Sequence, residues 1–172
     1  DLSQDSAQRA LRLMAEQTKR MENLVADLLV LSRLENNQNP LREEMVDIGV
    51  LLNEVYQGGL LLSGGKHVLH LEVEGSTKMS GNREELRSAF DNLLGNAIRY
   101  TPESGSITLR WFERGGQPVY SVQDSGIGIP AIHIPRLTER FYRVDRSRSR
   151  ETGGTGLGLA IVKQLVVAHG GS

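Results

Sequence analysis

From Ser6 to about Glu35 the chain has neither Gly nor Pro, and Leu11, Met14, Thr18, Met21, Val25 and Leu28 recur at alternating intervals of three and four. That period predicts one long amphipathic helix, its apolar stripe widened by Leu24, Leu31 and Leu34. Arg9, Arg12, Glu16, Lys19, Arg20 and Glu22 fall largely outside the seam. A helix of about 30 residues runs roughly 45 Å, longer than the core of a small domain covers, so the stripe calls for partner helices, the alternative being a helix folded back on its own domain. Asn36-Asn37-Gln38-Asn39-Pro40 stops the pattern with turn formers and a proline. The expected organisation is a helical segment over 1–36, a linker over 37–40 and a second domain over 41–172.

In the second domain the period changes repeatedly. Leu41 to Val46 predicts a short strand, and Asp47 is the expected N-cap of a helix running to about Leu61. Ser63-Gly64-Gly65-Lys66 is a turn, and His67 to Glu74 alternates as a half-buried strand does. Asn82 with Glu85 three residues on resembles a capping box, opening a helix that continues through Arg99 until Thr101-Pro102. Ile107 to Glu113 and Val119 to Gln123 are strands joined by Gly115-Gly116-Gln117-Pro118, and a last helix begins near Gly156 and ends at His169-Gly170-Gly171. Helices mixed with hairpin-like strands suggest an α+β fold, a two-layer sandwich rather than a doubly wound parallel sheet.

Composition narrows the chemistry. The 172 residues carry 20 Lys+Arg against 21 Asp+Glu, and a formal net charge of -1 gives no global electrostatic reason to expect nucleic acid as partner. Having no cysteine excludes disulfides, a thiolate nucleophile and cysteine-ligated metals. The most apolar stretch, Leu24 to Leu34, is interrupted by Asp27 and Arg33 and is too short to span a bilayer. The start resembles no signal peptide and has no initiating Met, so a fragment is expected.

Three tracts carry candidate chemistry. Asp124-Ser125-Gly126-Ile127-Gly128 follows a strand directly, placing a carboxylate at a strand end beside glycines that let another body approach the backbone. Such a carboxylate can accept a hydrogen bond from an exocyclic amine such as that of adenine, although an ordinary Asp-Gly turn has the same sequence. Gly153-Gly154-Thr155-Gly156-Leu157-Gly158 runs straight into a helix whose first amides favour phosphate. The polar stretch before it, from Arg146 to Thr152, is not the hydrophobic strand a dinucleotide fold needs, and neither the spacing nor the lysine of a P-loop is present. Asn92 and Asn96, four apart, share one helix face with amide oxygens suited to Mg²⁺, a cation that usually takes one or two protein ligands plus phosphates and water.

In this order, with Phe141-Tyr142 between the glycine tracts, the set resembles the N, G1, F and G2 boxes of sensor histidine kinases, whose nucleotide-binding domain has the Bergerat (GHKL) fold. The long helix is similar to the second helix of their dimerisation and histidine-phosphotransfer domain. Gln17 to Met21 and Arg140 to Asp145 are most similar to the phosphate-regulon sensor kinases.

The resemblance implies that Asp124 meets the adenine amine, that Asn96 ligates Mg²⁺ and that Asn92 supports it. It also implies that Arg99 approaches the phosphates and Tyr100 packs on the base. Gly126 and Gly128 shape the base side, and Gly154, Thr155, Gly156, Leu157 and Gly158 the phosphate side. Residues from about Pro130 to Thr155 form the ATP lid, in which Phe141 and Tyr142 are a hydrophobic anchor and Arg143 adds a basic group. Arg146, Arg148 and Arg150 are a basic run that can steer phosphate or simply be solvated. Hydrolytic relatives have a water-activating glutamate where Asn92 stands, and an amide cannot take that proton. ATP is then kept for an external histidine. A hydrolytic GHKL ATPase and a non-catalytic dimerisation and regulator-docking module are the rivals.

The resemblance further implies a response-regulator receiver domain as partner and a homodimer in the full-length protein. It implies a cytoplasmic place for this stretch, with the parent anchored in the bacterial inner membrane through regions outside it. None of the four histidines lies in a phosphoacceptor box, which is expected upstream, and the usual C-terminal strand is missing after Gly171. Thr138 stands where an aromatic is frequent. His67 and His70 are expected on one side of a strand, His133 in the lid, and His169 at a helix end where a positive charge favours the dipole.

Overall fold

A computed structural model describes residues 2–36, 43–144 and 154–171. The linker expected over 37–40 and the basic run of Arg146, Arg148 and Arg150 lie outside the described residues. Helix α1 (Leu2–Asn36) is followed by β1 (Glu44–Asp47), α2 (Ile48–Ser63), β2 (Val68–Val73), β3 (Lys78–Gly81), α3 (Arg83–Tyr100), β4 (Ser106–Arg114) and β5 (Gln117–Asp124). A short 3-10 helix (Ala131–Arg136) and α4 (Gly158–Ala168) complete the order.

The helix starts follow from their caps. The Asp47 side chain accepts from the Val50 amide and opens α2, and Asn82 accepts from the Glu85 amide at 3.0 Å and opens α3. The Asn82 amide donates to His169 Nε2 at 3.1 Å, while His169 Nδ1 faces the Leu165 carbonyl at 2.8 Å. Through these two contacts His169 ties α4 to the start of α3.

Two sheets form. In the larger, β2 pairs parallel with β4, Leu69 opposite Ile107 and Leu71 opposite Leu109, and β4 pairs antiparallel with β5, Trp111 opposite Tyr120. The hairpin is the one the sequence suggests; the parallel pair is not, because its crossover runs through β3 and α3. The smaller sheet joins β1 to β3, Val46 opposite Met79. Strand β3 was not expected, β1 starts at Glu44 rather than Leu41, α2 reaches Ser63 and α4 starts at Gly158.

His67 precedes β2, its ring lying 3.0 Å from Ser63 Oγ and 2.8 Å from the Thr101 carbonyl. An interval of three also puts His67 and His70 on opposite sides of an extended chain, correcting the one-sided expectation.

Every second residue of β4, Ile107, Leu109 and Trp111, is buried. That face packs under Leu51, Leu52 and Val55 of α2, Leu86, Phe90 and Leu94 of α3, and Ile161 and Leu165 of α4 in one core, giving helices on one layer and sheet on the other. Helix α1 joins this core through Leu31, 1% exposed, with Leu24, Val30 and Leu34 partly buried beside it. Its first half leaves Leu11, Met14 and Met21 exposed.

Candidate nucleotide site

The polar face of α3 borders a cleft of about 450 Å³ lined by Glu84, Arg87, Ser88, Asp91, Asn92, Gly95, Asn96 and Arg99. The helical repeat alone sets Ser88, Asn92, Asn96 and Arg99 along one side, while Phe90, Leu94 and Ala97 turn into the core. Asn92 donates from Nδ2 to the Ser88 carbonyl at 2.8 Å, and Asn96 Oδ1 accepts from Arg99 Nη1 at 3.2 Å. Burial pushes the Asp91 carboxyl above its ordinary range, opposed by the nearby Arg87 guanidinium.

The second glycine tract packs against the same helix. A Cβ added at Gly158 would lie 2.5 Å from Asn92 Oδ1, so the start of α4 lies close against α3 and a side chain there would have to move the Asn92 amide. Arg99 Nη1 lies 3.1 Å from where a Gly154 Cβ would be, and Arg143 donates to the Gly154 carbonyl. The Gly156 carbonyl accepts from the Phe141 amide at 2.9 Å. The structure thus brings Asn92, Arg99, Phe141, Arg143, Gly154, Gly156 and Gly158 together.

The first glycine tract forms at the C-terminal end of α3. Asp124, last residue of β5, accepts the Gly126 amide on Oδ1 at 2.8 Å, and the Ile127 amide donates to the Tyr100 carbonyl at 3.3 Å. A Gly126 Cβ would stand 2.6 Å from that carbonyl, so the turn lies directly on the helix end. Tyr100 is partly exposed beside it, and Gly128 takes a positive φ of 71°.

Phe141 and Tyr142 divide the anchoring differently from the expectation. The Phe141 ring is 59% exposed, at a φ of 60°, and it is the backbone of this residue that holds the glycine tract. Tyr142 is half-buried; its hydroxyl lies 2.6 Å from His133 Nδ1, and Arg136 stacks 4.2 Å from its ring centre. Sequence reasoning missed these partners. It also missed Asp27 of α1, which accepts from Thr155 Oγ1 at 2.7 Å, and Glu35 of α1, which pairs with Arg140. No local pattern signals a contact across 128 positions. Among the described residues no three His, Asp or Glu side chains converge as a metal site.

Residues 81–172 match the family of histidine kinase-, DNA gyrase B- and HSP90-like ATPases. The chain belongs to this family. Its fold is therefore the GHKL ATP-binding fold, and the amide-bearing helix and glycine tracts are those of an ATP-binding domain. The chain is 47% identical to the phosphate regulon sensor protein PhoR of Pseudomonas aeruginosa over 94% of its own length and 37% of that protein's. It thus spans little more than a third of that relative. Among solved structures, the histidine kinase AdeS of Acinetobacter baumannii superposes with a TM-score of 0.71 at 27% identity, over 92% of this chain and 72% of that one. ShkA, solved full-length in complex with AMPPNP, superposes at 0.74 and 30% identity, over 95% of this chain and 33% of that one. Among the described residues no helix is long and apolar enough to cross a membrane.

Proposed function

We propose that the chain is the ATP-binding catalytic part of a two-component sensor histidine kinase, with 1–36 supplying the second helix of the dimerisation domain and 41–172 the catalytic domain. The observation that carries the reading is the closure of the glycine tract on α3: Gly158 against Asn92, and Gly154 beside Arg99. Polyphosphate placed there meets a guanidinium and the first amides of α4 at once, with the Asn96 amide oxygen beside it for a cation.

In this reading Asp124 accepts the adenine amine, Gly126 and Gly128 keep the base side open, and Tyr100 packs on the ring. Asn96 offers its Oδ1 to Mg²⁺, and Asn92, pinned by Ser88, holds the neighbouring side of the cleft. Mg²⁺, when bound, neutralises phosphate charge. Arg99 and Arg143 border the phosphates; Thr155 and Leu157 offer donors, and Phe141 and Tyr142 fix the start of the lid. A histidine nitrogen from the phosphoacceptor helix attacks the γ-phosphorus as its bond to the β,γ-bridging oxygen breaks, leaving ADP. The protein's part is positioning and charge stabilisation. Asn92 cannot take a proton from water, so ATP outlasts the wait for that nucleophile. The phosphoryl group then passes to a receiver-domain aspartate. The likeness to the phosphate-regulon sensor supports a homodimeric parent anchored in the inner membrane.

Calorimetry with a non-hydrolysable ATP analogue tests the site. Saturable binding strengthened by Mg²⁺ and weakened at least about tenfold by Asp124→Ala is expected, since a buried amine loses its acceptor. No binding to the folded chain overturns the reading. Steady phosphate release that Asn96→Ala abolishes makes the chain a hydrolytic ATPase instead.

A further inference from the structure

Three residues of α1, each four apart, face the catalytic domain in different ways. Asp27 accepts from Thr155 Oγ1 at 2.7 Å, Leu31 is buried in the core, and Glu35 pairs with Arg140. Successive steps of four keep them along one side of the helix, so they act as one clamp. Its two polar ends grip different stretches of chain: Thr155 in the second glycine tract and Arg140 just before the Phe141 turn.

Thr155 is also bonded inward. Its Oγ1, having given its proton to Asp27, accepts the Leu157 amide at 3.3 Å. Leu157 is the N-cap of α4, so its N–H belongs to the group of amides that a helix leaves unsatisfied and that anions seek. The α1 carboxylate thus takes the Thr155 donor and brings a negative charge beside the first amides of α4, where a phosphate would lie.

We propose that Asp27 is an internal competitor for the nucleotide phosphates, so that docking of α1 and binding of ATP oppose each other at Thr155. The inference rests on the ATP-site reading above and adds its regulation. Displacing Asp27 frees the Thr155 O–H to donate to phosphate and removes a like charge from beside the polyphosphate. Because coupling between two binding events is reciprocal, nucleotide loosens α1 by the factor by which α1 weakens nucleotide. A shift of α1 along or about its axis, which moves Asp27 away from Thr155, then raises ATP affinity without any change in the cleft's own residues.

The test is a double-mutant cycle on the 172-residue chain, with affinity for the ATP analogue read by calorimetry. Asp27→Ala is expected to tighten binding about tenfold, the worth of one charged hydrogen bond and its repulsion. Asp27→Asn, which keeps an acceptor but loses the charge, is expected to fall between. In a Thr155→Ala background Asp27→Ala should change affinity less than about twofold, within the scatter of uncoupled sites. Unchanged or weaker binding in Asp27→Ala overturns the competition while leaving the ATP site intact. Equal tightening in both backgrounds overturns it too, leaving only a distant charge. Failure of every folded variant to bind the analogue overturns both the competition and the site.

Discussion

Helices α1 and α3 have the same amphipathic grammar and opposite fates. The 18 residues of α3 bury Leu86, Ala89, Phe90, Leu94 and Ala97, whereas among the described side chains of the 35-residue α1 only Leu31 is fully buried. Period alone does not distinguish them; what does is whether a sheet and two helices are there to receive the stripe. The consequence is functional. A helix locked on one face, like α3, can present Asn92, Asn96 and Arg99 at fixed positions on the other. A helix held by one buried side chain, a few partly buried neighbours and two polar contacts, like the end of α1, can let go.

Truncation gives the largest contrast. Leu94→Ala removes a fully enclosed side chain and is expected to cost about 3 kcal/mol in urea unfolding, whereas Met14→Ala on the exposed half of α1 should stay within about 0.5 kcal/mol. Equal costs would break the comparison, because they would mean that a second copy covers the α1 stripe in solution. Repeating the Met14→Ala measurement at two protein concentrations identifies that case.

A middle-sized effect tests how firmly α3 is sealed at its start. Asn82→Ala removes the acceptor for the Glu85 amide and should cost about 1 kcal/mol, while Asn82→Ser should lose only a few tenths. If both variants match the parent in urea unfolding, the anchoring falls to His169, whose bond is to the Asn82 backbone and survives either change.

These cases also mark what the sequence makes legible. Asp47 and Asn82 were visible as caps because a cap needs only itself and the next three residues. The Ile107, Leu109 and Trp111 alternation was visible for the same reason. Strand β3 was hidden, since four residues, Lys78 to Gly81, with one buried position carry no period. The parallel partner of β4 was hidden because Leu69 and Ile107 meet only after α3 has crossed over. In the site, the asparagines and glycine tracts stood out by residue type and order. Their mutual contacts did not: that Gly158 faces Asn92, or that Thr155 answers Asp27, is set by packing between distant elements. Phe141 shows the limit of residue type, for its sequence suggests a buried ring and its backbone does the holding instead.

The smallest effect lies on the exposed edge of α3, where Asp91 meets Arg87 at 3.5 Å. Burial holds its folded-state carboxyl above the ordinary value of 3.8, and the ion pair only partly opposes this. The folded protein therefore takes the proton more readily than the unfolded chain. Ionising Asp91 favours unfolding, so stability from this group is present below about pH 3.8 and is lost as pH rises through the folded-state value. Asp91→Asn removes that dependence. Its stability relative to the parent should be constant in strong acid, climb with pH and level off near neutrality, while Arg87 keeps Glu54 at 3.1 Å. Urea midpoints of the two proteins across pH measure it. A difference that shrinks as pH rises would mean that Arg87 outweighs burial, and α3 would then hold its cleft edge by charge, as α1 holds the lid, rather than by packing.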